Sequence, residues 1–110
     1  MWIASALGFF SIVKKDGAFH VRARCRTDLV ALEAAAGLTP KIIVSPDADY
    51  HYRILVGPEA IPNILRALGD SVTYPNFKSA IAHSPTQYPK LRAYESFWWE
   101  LKSLQDRHDH

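Results

Sequence analysis

The sequence predicts an α+β fold: a four-stranded, mainly antiparallel sheet with helices packed on at least one face. Two pairs of alternating apolar segments predict the strands, and apolar residues at helical spacing between and after them predict the helices. The elements follow in the order ββαββα, with one or two further helices at the C-terminus. A chain of 110 residues fits a single domain, which we expect over 1–105, followed by a flexible polar tail at 106–110.

The first hairpin is defined by Asp16-Gly17, because a two-residue Asp-Gly loop favours a type I′ turn with positive φ at both positions. This turn places Ile12 opposite Val21. One face of the hairpin then carries the side chains of Phe10, Ile12, Phe19, Val21, Ala23 and Cys25. The other face carries those of Phe9, Ser11, Val13, His20, Arg22 and Arg24. We expect the first face to line the core and the second to be the surface that meets a ligand.

The elements of the first half of the chain have clear boundaries in the sequence. Strand one covers 2–14 with a bend at Gly8, where the missing side chain permits a kink, and strand two covers 19–26. Thr27 is a good N-cap for the first helix, and Gly37 ends that helix.

The second half supplies two short strands and the remaining helices. The strands cover 41–44 and 49–56, and the later one alternates strictly. Its first face carries Tyr50, Tyr52, Ile54 and Val56, and its second face carries Asp49, His51, Arg53 and Leu55. The next helix has Pro62 in its first turn, Asn76 caps a short helix, and the last helix covers 90–105.

The composition is that of an ordinary globular protein, with 48% hydrophobic and 22% charged residues and a formal charge of +2. That charge neither requires nor excludes an anionic partner. The single cysteine, Cys25, cannot form an internal disulfide and lies on the expected core face, so its expected role is structural. No apolar segment approaches the ~20 residues of a membrane helix, and the N-terminus lacks a positively charged signal region. These features predict a cytoplasmic protein without a membrane partner.

Basic residues on the second face form the pattern that points to a ligand. Alternation directs the cations of strand two to one side of the sheet, and strand four can add its own. The candidate anion-binding or nucleic-acid-binding residues are Phe9, His20, Arg22, Arg24, His51 and Arg53. Sheets that bind single-stranded nucleic acid combine such basic groups with aromatic stacking. The alternative is an ordinary solvated face on which Asp47 or Asp49 neutralises some of the cations.

Apolar residues outside the expected core indicate a further contact surface. Strand alternation puts four of them on the second sheet face: Ile3, Leu7, Phe9 and Val13. That is too much apolar surface to leave in water, so the C-terminal helix or a second copy of the chain is expected to cover it.

Three consecutive aromatic residues in the last helix are the candidate interface: Phe97, Trp98 and Trp99. At about 100° per residue they span roughly 200° of the helix, so one sheet cannot bury all three. Self-association, burial between two layers of the same domain, and a ligand pocket all satisfy this pattern.

Catalytic motifs are not found in the sequence: there is no nucleophile elbow and no glycine-rich phosphate loop. Asp49 and His51 share a strand face and are the candidates for acid–base chemistry or metal ligation, with His108 and His110 as further possible ligands. A surface histidine without a metal is the simpler interpretation of each. The sequence therefore predicts no catalytic residue, no cofactor and no metal.

A series of motifs in a fixed order carries a resemblance to a known family: Trp2, Gly8-Phe9-Phe10-Ser11-Ile12-Val13, Val21-Arg22-Ala23-Arg24, Asp28-Leu29, Asp49-Tyr50-His51-Tyr52-Arg53-Ile54, Tyr74-Pro75-Asn76-Phe77-Lys78 and a Trp-containing last helix that ends in Leu104-Gln105. Together they are similar to a family of small bacterial proteins of about 100 residues, of unknown function. The resemblance covers nearly the whole chain and implies a stand-alone bacterial domain. No activity is attached to that family, so it supplies no catalytic or ligand residues.

The sequence therefore predicts a non-enzymatic interaction module that forms a homodimer or binds another protein. The alternative is a nucleic-acid-binding protein that uses the basic and aromatic side chains of the second sheet face. The third hypothesis, a small hydrolase or nuclease, would depend on Asp49 and His51.

Overall fold

The computed structural model describes residues 1–108, which form two compact units. The first unit is Met1–Thr73, and the second begins at Tyr74. The last helix continues to His108, through the first part of the segment expected to be a flexible tail. Asp109 and the candidate ligand His110 lie outside the described residues.

The first unit is an antiparallel five-stranded sheet with two helices. The strands are β1 (Trp2–Ser5), β2 (Gly8–Lys15), β3 (Ala18–Ala23), β4 (Ile43–Val44) and β5 (Tyr52–Val56), in the order β1-β2-β3-β5-β4. The helices are α1 (Arg26–Ala36) and α2 (Ile61–Asp70), the latter entered through a 3₁₀ turn at Pro58–Ala60. The α+β class and the antiparallel sheet are confirmed, whereas the predicted number of four strands is wrong.

The additional strand arises because the predicted first strand is a hairpin of its own. Ser5 pairs with Gly8, so the chain reverses direction between β1 and β2. The Ser5 hydroxyl stabilises this turn: its Oγ accepts from the amides of Leu7 and Gly8, both at 3.2 Å, and donates to the Gly8 carbonyl at 2.8 Å. The reversal moves Ile3 and Leu7 to the core side. The expectation that both lie on the second sheet face is therefore wrong.

The β2–β3 hairpin has the register that the Asp-Gly turn predicts. Asp16 and Gly17 have φ of 52° and 78°, and Ile12 lies opposite Val21. The side chains of the first face enter the core with both helices: Phe10, Ile12, Val21, Ala23, Leu29, Leu32, Ile54, Val56, Ile64 and Leu68 are all buried. Burying a large apolar side chain of this kind contributes about 1.5–3 kcal/mol, so the hairpin and the helices stabilise one another.

Helix α1 is connected to β2 by a buried carboxylate. The helix begins at Arg26, and its N-cap is Cys25 rather than the predicted Thr27. Asp28, in the first turn, is fully buried, and its Oδ2 accepts a hydrogen bond from the Phe9 amide at 3.2 Å. This contact passes directly beside Gly8, where a Cβ would overlap the Asp28 side chain.

Strand β5 begins at Tyr52, later than the alternation predicts, because residues 45–51 form a loop. The Ser45 amide closes this loop on the His51 carbonyl at 2.8 Å. Alternation does not hold through a loop, so Tyr50 is not on the core face with Ile54 as predicted. Its ring instead lies against arginines of the second face.

The second unit contains α3 (Phe77–Ala82), a 3₁₀ turn (Tyr88–Lys90) and α4 (Leu91–His108). Asn76 caps α3 as predicted, with its Oδ1 accepting from the Ser79 amide at 2.8 Å. Phe77 packs on Tyr94 with ring centroids 5.1 Å apart, and Tyr94 is the residue of α4 that is buried within the described chain.

Replacing Asn76 with alanine is expected to lower the free energy of unfolding by about 1 kcal/mol, because the Ser79 amide loses its acceptor at the start of a six-residue helix. Urea denaturation followed by circular dichroism measures this change. The matched control is Asn63→Ala at an exposed site inside α2, where alanine is the better helix former and stability should not fall. Equal losses at both sites would contradict the capping role.

Candidate binding surfaces

One row of paired residues crosses the whole sheet on the face opposite α1 and α2. The strand pairings place side by side, from edge to edge, Trp2, Ser11, Arg22, Arg53 and Ile43. We name these five residues the arginine row. Neighbouring strands lie about 4.8 Å apart, so the two guanidinium groups project from adjacent positions in its centre.

Arg22 is held by neutral groups. Its Nη2 donates to the Ser11 hydroxyl at 2.7 Å, and its guanidinium carbon lies 4.6 Å from the centre of the Tyr50 ring. Tyr50 is almost fully buried, so it is a fixed platform for this cation. These contacts orient Arg22 and leave its charge uncompensated.

Arg53 is also held by a neutral group. Its Nη1 lies 3.3 Å from Nδ1 of His20. Arginine can only donate, so Nδ1 accepts in this hydrogen bond and the imidazole is neutral when the bond forms. The contact fixes the end of Arg53 beside Arg22 without adding a negative charge.

Arg24, by contrast, is neutralised. Its Nη1 lies 3.2 Å from Oδ1 of Asp49 and 3.0 Å from the Asp49 carbonyl, while its guanidinium shares the Tyr50 ring at 4.1 Å. Both partners are largely exposed, and an ion pair of this kind contributes about 0–1 kcal/mol. The solvated-face interpretation therefore describes Arg24, whereas it does not describe Arg22 and Arg53.

The other sequence candidates lie around the row. Phe9 is half-buried, with its ring 6.3 Å from that of Trp2, which is 66% exposed. His51 is exposed, and its ring lies against Tyr52 with centroids 6.3 Å apart. Since Asp49 bonds to Arg24, it is committed to an arginine rather than to an acid–base pair with His51. Within residues 1–108, no three potential metal-ligating side chains come together.

Sequence reasoning missed three members of this surface: Ser11, Tyr50 and Trp2. Ser11 and Trp2 join the arginine row only through the β1–β2 turn, which the sequence analysis did not resolve. Tyr50 moves to this face because β5 starts late. The Ser5–Gly8 spacing was the available signal for the first two.

The second candidate surface lies on α4. Its predicted residues Phe97, Trp98 and Trp99 are 45%, 44% and 62% exposed. Leu101 and Leu104, one and two helical turns after Phe97, are similarly exposed. The Trp98 and Trp99 rings meet edge to face at 5.1 Å, and Lys78 Nζ lies 4.8 Å from the centre of the Trp98 ring.

A groove of about 370 Å³ follows α4 along this apolar side. It is lined by Ala93, Ser96, Phe97, Glu100 and Leu101. The groove is open along the helix, so it suits an elongated apolar element rather than an enclosed small molecule.

Comparisons of this chain with protein-family models, with curated proteins and with solved structures find no match. The two surfaces are therefore interpreted from their own geometry. A search of residues 1–108 finds no helix of the length and apolarity required to span a membrane.

Proposed function

We propose that this protein is a non-enzymatic interaction module that forms a homodimer through α4. The observation that carries this proposal is the run of large apolar side chains on α4, four of which (Phe97, Trp98, Leu101, Leu104) are between 43% and 54% exposed. Contiguous apolar patches of several hundred Å² are rare on monomers and mark contact sites. These four residues are named the α4 stripe.

The spacing of the stripe is that of a helix-pairing seam. Phe97, Leu101 and Leu104 are separated by four and three residues, which continues the alternation begun at Tyr94. This is the a/d pattern of helices that pack side by side. On that pattern Trp98 flanks the seam, while Trp99 projects from the opposite side of the helix.

The size of the stripe supports a second copy as the occupant. A standard interface of about 800 Å² per partner, with about 57% apolar area, requires roughly 450 Å² of apolar surface. From their exposed fractions, the stripe side chains provide roughly 350 Å². Aliphatic portions of neighbouring polar side chains supply the remainder. An 18-residue helix, about 27 Å long, is sufficient to carry this contact.

Charges beside the stripe favour pairing of identical helices. Glu100 and Arg107 lie seven residues apart on the same flank of the seam. In an antiparallel pair with Leu101 against Leu104 of the second copy, each Glu100 approaches the Arg107 of the other. Because the contact is symmetric, this attraction occurs twice.

The expected solution mass is that of a dimer, about 25 kDa, which is twice the chain mass of 12.4 kDa. Light scattering coupled to size-exclusion chromatography, run across micromolar concentrations and in high salt, measures it. A mass of one chain at every concentration would refute the dimer. Persistence of the dimer in high salt would indicate that the apolar stripe, rather than the flanking charges, supplies most of the affinity.

A further inference from the structure

The centre of the arginine row contains two like charges in directly opposed positions. Arg22 and Arg53 form a cross-strand pair on β3 and β5. The Cβ atoms of such pairs are about 4.5–5.5 Å apart, and like charges there destabilise a sheet. A structural role alone does not require this arrangement, since an acidic residue at either position would remove the repulsion.

The partners of both arginines orient them without neutralising them. Within residues 1–108 neither side chain forms an ion pair; the hydrogen bonds go to Ser11 and to His20. Both Nε atoms are shielded from solvent and lack a hydrogen-bond partner within the described chain. Partial burial strengthens the attraction of these two charges for an anion, because less water screens it.

From this geometry we infer that Arg22 and Arg53 together bind a phosphate group. Two adjacent guanidinium groups match the several oxygens and the charge of a phosphate, and arginine recognises this group through paired hydrogen bonds. A bound phosphate offsets the repulsion between the two cations. The site lies in the first unit, so it does not depend on the proposed α4 dimer.

Trp2 indicates which kind of molecule carries the phosphate. It belongs to the same row as Arg22, is two strands away, or roughly 10 Å, and is 66% exposed. An exposed indole near a phosphate site stacks a nucleobase. The two sources of the phosphate are therefore a nucleotide chain, which uses Trp2, and a free small phosphate, which does not.

The test compares Arg22→Gln/Arg53→Gln with Arg24→Gln. Glutamine removes the charge and keeps a polar side chain, and Arg24 is a matched control because it lies on the same face with its charge already paired to Asp49. The probes are inorganic phosphate, followed by the shift in melting temperature, and a fluorescein-labelled single-stranded oligonucleotide, followed by anisotropy. We expect phosphate to raise the melting temperature of the wild type and not that of the double variant.

For the oligonucleotide, the double variant is expected to bind at least about 10-fold more weakly, with the slope of log affinity against log salt reduced by about 1.4 for two lost contacts. Arg24→Gln should change the affinity less than about 3-fold. Trp2→Ala should weaken the oligonucleotide and leave phosphate unchanged if a nucleotide chain is the source. If phosphate binds and the oligonucleotide does not, the source is a free phosphate.

Two results would overturn the inference: no response of the wild type to either probe, or equal responses of the wild type and the double variant. Misfolding does not confuse the outcome, since removing the like-charge pair is expected to leave the melting temperature of the variant without probe equal to or above that of the wild type. A fall of that temperature well below the wild type would show that the pair is structural and would also overturn the site.

Discussion

Glutamate at both Phe97 and Leu101 is expected to convert the dimer into a monomer. Both positions lie in the centre of the α4 stripe, so a dimer of this variant would enclose four carboxylates without partners. The dissociation constant should rise at least about 100-fold. In the monomer the same residues are exposed, so the circular dichroism spectrum and the melting temperature measured at high dilution should change little.

The matched control for this variant is Trp99→Glu/Ser103→Glu. It introduces the same two charges at the same spacing on the same helix, about 160° away around the helix axis. Light scattering should show a dimer for the control and a monomer for the stripe variant. The reverse result would place the contact on the Trp99 side and contradict the proposed seam.

Replacing Gly8 with alanine is expected to lower the free energy of unfolding by about 3 kcal/mol. Gly8 has φ of 153°, which side-chain-bearing residues rarely adopt, and a Cβ there overlaps the side chain of Asp28. The helix would have to move away from β2, which weakens the hydrogen bond from the Phe9 amide to Asp28. Chemical denaturation measures the loss.

Gly69→Ala is the control for this substitution. Gly69 lies in α2, and nothing is within 4 Å of a Cβ built there. Alanine is the better helix former, so the control should be neutral or more stable by up to about 1 kcal/mol. A Gly8 variant as stable as the wild type would show that α1 is not held closely against the β1–β2 turn.

The part of the fold that was predictable is the part set by strong local chemistry. Asp16-Gly17 determined the register of β2 and β3, because few residues accept positive φ at two successive positions. Asn76 was identifiable as a cap for the same kind of reason: its short side chain reaches the amide three residues later.

The parts that were not predictable depend on contacts distant in sequence or on weak turns. The β1–β2 turn at Ala6-Leu7 contains no glycine or proline at its centre, so continuous alternation hid it. This turn decides the face on which Ile3 and Leu7 lie. It also brings Trp2 beside Ser11, and so completes the arginine row.

The candidate surfaces were predictable in composition and not in detail. Alternation placed Arg22 and Arg53 on one face, but only the strand order β3-β5 makes them direct neighbours. The aromatic run on α4 identified Phe97, whereas Leu101 is more exposed than its helical spacing with Tyr94 suggests. Spacing shows which residues share a face, and packing decides which face is buried.

The placement of the indoles gives the molecule two built-in optical reporters. The chain has three tryptophans, one in the arginine row and two in contact on α4. Intrinsic emission and near-ultraviolet dichroism therefore arise from the surfaces where association is proposed, rather than from the core. Trp2→Phe and Trp98→Phe variants would separate the two signals, so ligand uptake and subunit exchange can be followed in unlabelled protein.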